Sequence, residues 1–125
     1  MRRFLLLVPV LLMAACSQTS GPKLAPADHV YETRGIIERL QDRNDERLMI
    51  LHEEIPDFVG FDGKVAPMGA MTMPFQVGSG VSVAGLAVGT KVAFTFELRW
   101  RGPVDLLITS LEILPEDTQL EVTGG

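Results

Sequence analysis

A clean alternation of large apolar residues with smaller or polar ones in the second half of the chain limits the possible folds more than any other feature. Residues 91–99 read KVAFTFELR, and every second position is apolar: Val92, Phe94, Phe96 and Leu98. Successive side chains of a β-strand point to opposite faces of a sheet, so this pattern predicts a strand with one buried face. A chain that contains such a strand needs neighbouring strands to cover its backbone and its apolar face.

Four further segments have the composition of strands and are separated by turn-forming residues. They are residues 30–40, 48–53, 71–77 and 104–114. Gly35 suggests a bulge or bend within the first of them, and Pro74 suggests that the third is an edge strand or contains a bulge. The polar residues 42–45 predict a hairpin turn, residues 54–67 a long loop, and residues 83–86 one short helical turn.

These segments predict an all-β domain. Five strands in about 85 residues are too few for an immunoglobulin-type sandwich, whereas a small, strongly curved, five-stranded OB-fold-like barrel fits them. The amphipathic helices that βαβ proteins require are absent from the pattern. We therefore expect one barrel over residues 30–115, followed by a polar tail over residues 116–125.

The N-terminus has the organisation of an export signal. Arg2 and Arg3 precede an apolar run over residues 4–15, which is too short to span a bilayer because spanning helices need about 20 residues. Residues 13–16 read MAAC and resemble a lipobox, the site at which bacterial lipoproteins are cleaved and lipidated. Residues 1–15 are therefore interpreted as a lipoprotein signal peptide, and residues 16–29 as a lipidated Cys16 with a flexible tether.

Cys16 is the only cysteine of the chain, so it cannot form an intramolecular disulfide. A lone cysteine in an exported protein needs an explanation, and a lipid anchor provides one. The alternative is an ordinary signal peptide in which the cysteine is incidental. Ser17, rather than an acidic residue, follows the cysteine, which favours the outer over the inner membrane by analogy with Gram-negative lipoproteins.

The charge of the domain excludes several classes of function. The chain has a net charge of −5, and removing residues 1–15 takes away Arg2 and Arg3 and no acidic residue, which leaves −7. Such a domain is poorly suited to nucleic acid, whose binding depends on cationic contacts to phosphates. The sequence has no recognisable set of catalytic Ser, His and Asp residues and no nucleotide-binding glycine motif, so we expect a protein that is not an enzyme.

A group of methionines provides the main candidate for chemistry. Residues 68–73 read MGAMTM, and Met71 and Met73 would project from the same face of a strand, with Met68 able to reach the same spot. Thioether sulfur is a soft, neutral ligand that suits Cu(I) or Ag(I), and a neutral His52 could complete the set. Methionines also fill irregular gaps in cores, so packing is the alternative. Glu53 and Glu54 are expected to be exposed charges.

Five segments of the chain resemble the CusF-like family of small periplasmic Cu(I)/Ag(I)-binding proteins. They are YETRGII at 31–37, HEEIP at 52–56, AMTMPF at 70–75, LAVGTKVAF at 86–94 and ITSL at 108–111. The resemblance implies a five-stranded OB barrel with His52, Met71 and Met73 as metal ligands. Some members have a tryptophan lid where this chain has Met68, so Met68 is either a fourth ligand or leaves a three-coordinate site.

The spacing of the candidate ligands differs from that expected for the family. His52 and Met71 are 19 positions apart, and residues 58–65 look like an insertion. Phe58 or Phe61 from this loop could cap the site, or else pack on the barrel. Trp100 is the only tryptophan, and we expect it to be a packed or rim aromatic.

The resemblance implies a monomeric metallochaperone or metal-tolerance protein of the periplasm. It would pass Cu(I) or Ag(I) to a copper efflux system or to a copper-enzyme assembly protein, and would contact the membrane only through its lipid. The alternative function is that of a structural or interaction lipoprotein whose barrel binds a protein or an oligosaccharide.

Overall fold

The computed structural model describes residues 26–101 and 106–122, and all regular structure in these ranges is β-strand. There are five strands: β1 (His29–Arg39), β2 (Leu48–His52), β3 (Met71–Val77), β4 (Lys91–Leu98) and β5 (Leu106–Ile113). Within the same two ranges no helix is long and apolar enough to cross a membrane. The predicted signal peptide, Cys16, most of the tether and the start of the predicted fifth strand lie outside the described residues.

The strands close into a barrel in the order β1-β2-β3-β5-β4. All neighbouring strands are antiparallel except β3 and β5, which run parallel and pair only at Gln76–Leu107 and Val77–Ile108. The predicted all-β, five-stranded barrel is confirmed. Pro74 lies in β3 opposite Met49 of β2, upstream of the short contact with β5. This position suits proline because that part of β3 has no partner strand on its other side among the described residues.

The alternating pattern that predicts β4 from the sequence also appears in the burial of its side chains. Val92, Phe94, Phe96 and Leu98 are at most 3% exposed, whereas the residues between them are half-buried. Phe75 of β3 lies against Phe94 and Phe96 with ring centroids 5.1 and 5.0 Å apart, in edge-to-face geometry. These rings fill the middle of the barrel together with aliphatic side chains from the other strands: Ile37, Leu48, Ile50, Val92 and Ile108.

Gly35 has a different role from the one that the sequence suggests. The irregularity of β1 lies between Ile37 and Arg39, while Gly35 pairs regularly with His52 on one side and with Val92 on the other. A Cβ atom at Gly35 would lie only 2.5 Å from the carbonyl oxygen of Leu51. Glycine is therefore needed here because β2 approaches the backbone of β1 closely.

One connection differs from the sequence expectations, and the long loop between β2 and β3 agrees with them. Residues 83–86 form a single turn, in which the Leu86 N–H donates to the Val83 carbonyl and Gly85 adopts a φ of 82°. A positive φ at the third position is typical of a type II β-turn and is incompatible with the expected helical turn. The loop over residues 54–67 is closed by two isolated bridges, Ile55–Met68 and Val59–Val65.

Candidate metal site

His52 is the last residue of β2, and its side chain is fully buried. Its Nδ1 lies 2.7 Å from the carbonyl oxygen of Glu53. A carbonyl oxygen can only accept a hydrogen bond, so Nδ1 carries the hydrogen in the neutral ring and Nε2 is left with its lone pair. Nε2 is buried and has no hydrogen-bond partner. A buried polar atom without a partner is uncommon in folded proteins and calls for an explanation, of which a bound ion is one.

The environment of His52 keeps the ring neutral. Burial disfavours the charged imidazolium and lowers the pKa of His52 below its ordinary value of 6.5, although the hydrogen bond with Glu53 opposes this effect. At neutral pH the ring is therefore uncharged, which is the form that binds a metal ion. Phe75 contacts the ring edge-on at a centroid distance of 6.4 Å and closes its inner side.

The register of β2 and β3 brings the two predicted thioether ligands beside His52. Met71 is directly opposite His52, and Met73 is opposite Ile50. Residues directly opposite each other in an antiparallel pair project to the same face with Cβ atoms about 4.5–5.5 Å apart. Met73 packs against the core, whereas Met71 is 46% exposed. The site is thus open to solvent on the Met71 side and closed on the Met73 side.

Met68 is held at the same end of the barrel by the bridge to Ile55. The Ile55 N–H donates to the Met68 carbonyl at 2.8 Å, and the Met68 N–H donates to the Ile55 carbonyl at 3.0 Å. Ile55 lies three positions after His52 and Met68 three positions before Met71, so the bridge continues the register of β2 and β3. Met68 is half-buried against the core. The bridge therefore places Met68 at the same end of the β2–β3 pair as His52 and Met71.

The donor atoms at this end fit a soft monovalent ion. In residues 26–101 and 106–122, no group of three or more His, Cys, Asp and Glu residues could hold a metal ion. The candidate site instead combines one imidazole nitrogen with up to three thioethers, a set suited to Cu(I) or Ag(I) and poorly suited to Mg²⁺, Ca²⁺ or Zn²⁺. Within this set the Nε2 of His52 is buried and has no hydrogen-bond partner, so its lone pair is free to bind such an ion.

The aromatic residues of the insertion pack on each other and on the barrel. Phe58 stacks on Tyr31 at a centroid distance of 5.4 Å and meets Trp100 edge-on, and Phe61 also meets Trp100 edge-on. The Val59 N–H donates to the Tyr31 hydroxyl. These contacts agree with the expected packed or rim role of Trp100. In the described part of the chain they give no support to Phe58 or Phe61 as a cap over the methionines.

Glu53 is a residue of the site that the sequence does not reveal. Its carboxylate accepts hydrogen bonds from Arg34 Nε at 2.8 Å and Nη2 at 3.0 Å, and from the Glu121 N–H at 2.8 Å. Partial burial would raise the pKa of Glu53, but these hydrogen bonds outweigh it and lower the pKa. Glu54 is exposed as expected, whereas Glu53 is not. No local pattern signals the pair, because Arg34 and Glu53 are brought together only by the pairing of β1 with β2.

Comparisons with known proteins identify the family and support the fold. The family model described as copper binding periplasmic protein CusF matches residues 30–113. The structure of apo-CusF from Escherichia coli superposes with a TM-score of 0.51 and 19% identity, and the match covers 77% of this chain and 95% of that chain. The structure of Ag(I)-bound CusF from Escherichia coli gives a TM-score of 0.52 and 19% identity, over 71% and 96%. A comparison with curated protein sequences gives no match.

The two structural matches support the OB-like form of the barrel, and the family match covers all five strands. The chain belongs to the family of the copper-binding periplasmic protein CusF.

Proposed function

We propose that this protein binds one Cu(I) or Ag(I) ion through His52, Met71 and Met73, with Met68 as a fourth ligand. The observation that carries the proposal is that Nε2 of His52 is buried without a hydrogen-bond partner, while His52 lies directly opposite Met71. Membership of the CusF family supports it, as does the Ag(I)-bound CusF structure among the structural matches. The ion is the cargo of the protein, which acts as a binding protein and not as an enzyme.

The same ligands suit a protein that releases its ion. Thioethers and a neutral imidazole carry no charge, so the bound ion keeps its positive charge and is held less strongly than by thiolates. Met71 is the most exposed of the candidate ligands and is the one that an incoming ligand can replace first. We therefore propose a periplasmic metallochaperone or metal-tolerance protein that passes Cu(I) or Ag(I) to an efflux system or a copper-enzyme assembly protein.

The binding site is tested by anaerobic titration of the purified protein with Cu(I) in competition with a chromophoric chelator. We expect one equivalent of tightly bound Cu(I), similar behaviour with Ag(I), and no comparable binding of Zn(II). Met71→Leu and Met73→Leu should each lower the affinity about tenfold or more, because each removes a soft ligand.

Met49 provides the matched control for these substitutions. It lies in β2 between the buried residues Leu48 and Ile50 and therefore projects to the opposite face of the strand. Met49→Leu should leave Cu(I) affinity unchanged. An equal loss in Met49→Leu and Met71→Leu would contradict the ligand assignment, and a protein that fails to compete for Cu(I) at all would favour the structural or interaction function instead.

Met68 requires a separate test because it lies before β3, in the connection between β2 and β3. If Met68 is a fourth ligand, Met68→Leu should weaken Cu(I) binding and reduce the number of sulfur ligands found by X-ray absorption spectroscopy from three to two. An unchanged sulfur count would instead assign Met68 to packing and leave a three-coordinate site of His52, Met71 and Met73.

We also propose that the domain is tethered to a membrane, preferably the outer membrane, by a lipid on Cys16. The support is the sequence alone: the basic start, the apolar run and the small residues before the cysteine. Cells fed an alkyne-labelled fatty acid should incorporate the label into the wild-type protein and not into Cys16→Ser. A soluble, unlabelled wild-type protein cleaved at another position would contradict the anchor and indicate an ordinary signal peptide.

A further inference from the structure

The residues that follow β5 lie outside the region matched by the family model, yet they are attached to the barrel at two places. Lys91 Nζ donates to the carbonyl oxygens of Glu116 at 2.7 Å and Thr118 at 2.6 Å. Further along, the Glu121 N–H donates to Glu53 Oε2. We call residues 115–122 the C-terminal strap. Its attachments involve backbone atoms of the strap, so they depend on its path and not on its side chains.

The barrel order determines what the strap crosses. Lys91 is the first residue of β4, and Glu53 directly follows β2. In the closed barrel β1 lies between β4 and β2, so a segment fixed at Lys91 and Glu53 passes over the outside of β1. Within the strap Thr118, Leu120 and Val122 are half-buried while the residues between them are exposed. This alternation indicates that one side of the strap lies against the barrel wall.

Glu53 connects the strap to the candidate metal site. Its carboxylate is held by Arg34 and by the Glu121 N–H, and its own N–H donates to the Arg34 carbonyl at 2.9 Å. Its carbonyl oxygen is the partner of His52 Nδ1. Partners of this kind on the second nitrogen of a ligating histidine fix the tautomer and the orientation of the ring. Every polar group of Glu53 is thus engaged, and one of these groups aims Nε2 of His52.

We infer that the C-terminal strap is a positioning element that holds Glu53, and through it the imidazole of His52, in the orientation that presents Nε2 to the metal ion. The expected effect on metal affinity rests on the proposed function. The effect on the His52 ring does not, because it can be measured in the metal-free protein. The residue that matters is Glu121, through its backbone N–H.

The test removes that single N–H from the full chain. Glu121→Pro eliminates the donor because proline has no N–H, whereas Glu121→Ala keeps it and serves as the matched control. In the metal-free protein, ¹⁵N NMR of the His52 ring should show the Nδ1-protonated tautomer alone for wild type and Glu121→Ala. For Glu121→Pro it should show shifts averaged between the two tautomers. Ag(I) affinity should fall about 3- to 10-fold in Glu121→Pro relative to Glu121→Ala, less than for loss of a direct partner of the ligand.

A second variant is needed because proline could also alter the backbone of the strap around residue 121. Lys91→Met releases the other attachment of the strap without touching residue 121, and it should shift the His52 tautomer in the same direction. Identical ring spectra and Ag(I) affinities for Glu121→Pro and Glu121→Ala would overturn the inference. An equal loss of Ag(I) affinity in both variants relative to wild type would also overturn it. If wild-type protein binds no Ag(I), the proposed function fails, and the ring spectra of the metal-free variants still decide whether the strap positions His52.

Discussion

At the scale of single residues, His52 is the one group whose burial, hydrogen bonding and charge all bear on the site. Its pKa is lowered mainly by burial, so the unfolded chain takes up a proton at a higher pH than the folded protein does. The free energy of unfolding of the metal-free protein should therefore be fully maintained above about pH 6.5. It should fall as the pH drops from there toward the lower pKa of the folded state. Urea unfolding between pH 7.5 and 5.5 measures this slope.

Replacing His52 should flatten the slope. His52→Leu removes the titrating group, while the only other histidine, His29 at the start of β1, is still present in this variant. The carboxylates of Asp45 and Glu53 both have a lowered pKa and stay ionised over this range. A wild-type slope that persists in His52→Leu would show that another group is responsible.

Gly35 is a second single residue on which the fold depends, because its missing side chain leaves room for β2. The Cβ atom of alanine at this position would lie 2.5 Å from the Leu51 carbonyl and 2.7 Å from Ile50 Cγ2, so β1 and β2 would have to separate. Gly35→Ala should lower the free energy of unfolding by about 1–3 kcal/mol, the range found for overpacking. Gly69→Ala is the control, because its Cβ would have no neighbour within 4 Å. Equal midpoints of denaturation for the two variants would contradict the close approach.

At the scale of elements, the strands, the hairpin turn at residues 42–45 and the loop at residues 54–67 could be predicted, whereas contacts between segments distant in sequence could not. The alternation of residues 91–99 and the Met-Thr-Met pattern depend only on the two-residue period of a strand, which is local in sequence. The Ile55–Met68 bridge and the Arg34–Glu53 ion pair instead depend on the register between strands. That register is set by how the whole barrel closes. For the same reason the strap reads as a plain polar tail in the sequence.

The loop between β2 and β3 carries two phenylalanines that differ in how much they pack on the barrel. Phe58 is 7% exposed and stacks on Tyr31, whereas Phe61 is 68% exposed and touches Trp100 at the surface. Phe58→Ala should lower the free energy of unfolding by about 3–5 kcal/mol, as for other buried phenylalanines. Phe61→Ala should change it by about 0.5 kcal/mol or less. Thermal or chemical denaturation of the two variants distinguishes them.

The same pair of variants tests whether a loop aromatic covers the ion. If both rings only pack on the barrel, Phe61→Ala should also leave the affinity for Cu(I) and its rate of oxidation in air unchanged. Faster oxidation of the bound ion in Phe61→Ala would show that this exposed ring shields the site.

At the scale of the whole molecule, the site and the barrel share one hairpin. His52, Met71 and Met73 are on β2 and β3, and these strands also supply Leu48, Ile50 and Phe75 to the core. An ion bound between β2 and β3 should therefore stabilise the entire fold, since only the folded chain brings the ligands together. The donor types can be identified in the sequence. Their approach depends on the register between β2 and β3, which no local pattern encodes.

This coupling can be measured as a shift in thermal stability. Free Ag(I) at 100 times its dissociation constant should raise the free energy of unfolding by about 2.7 kcal/mol. For a domain of this size the midpoint should rise by roughly 4–8 °C for each kcal/mol. Zn(II) at the same concentration should produce no comparable rise. The Met71→Leu, Met73→Leu double variant should lose most of the Ag(I) effect while Met49→Leu keeps it. A full shift in the double variant would mean that Ag(I) stabilises the barrel from a different site.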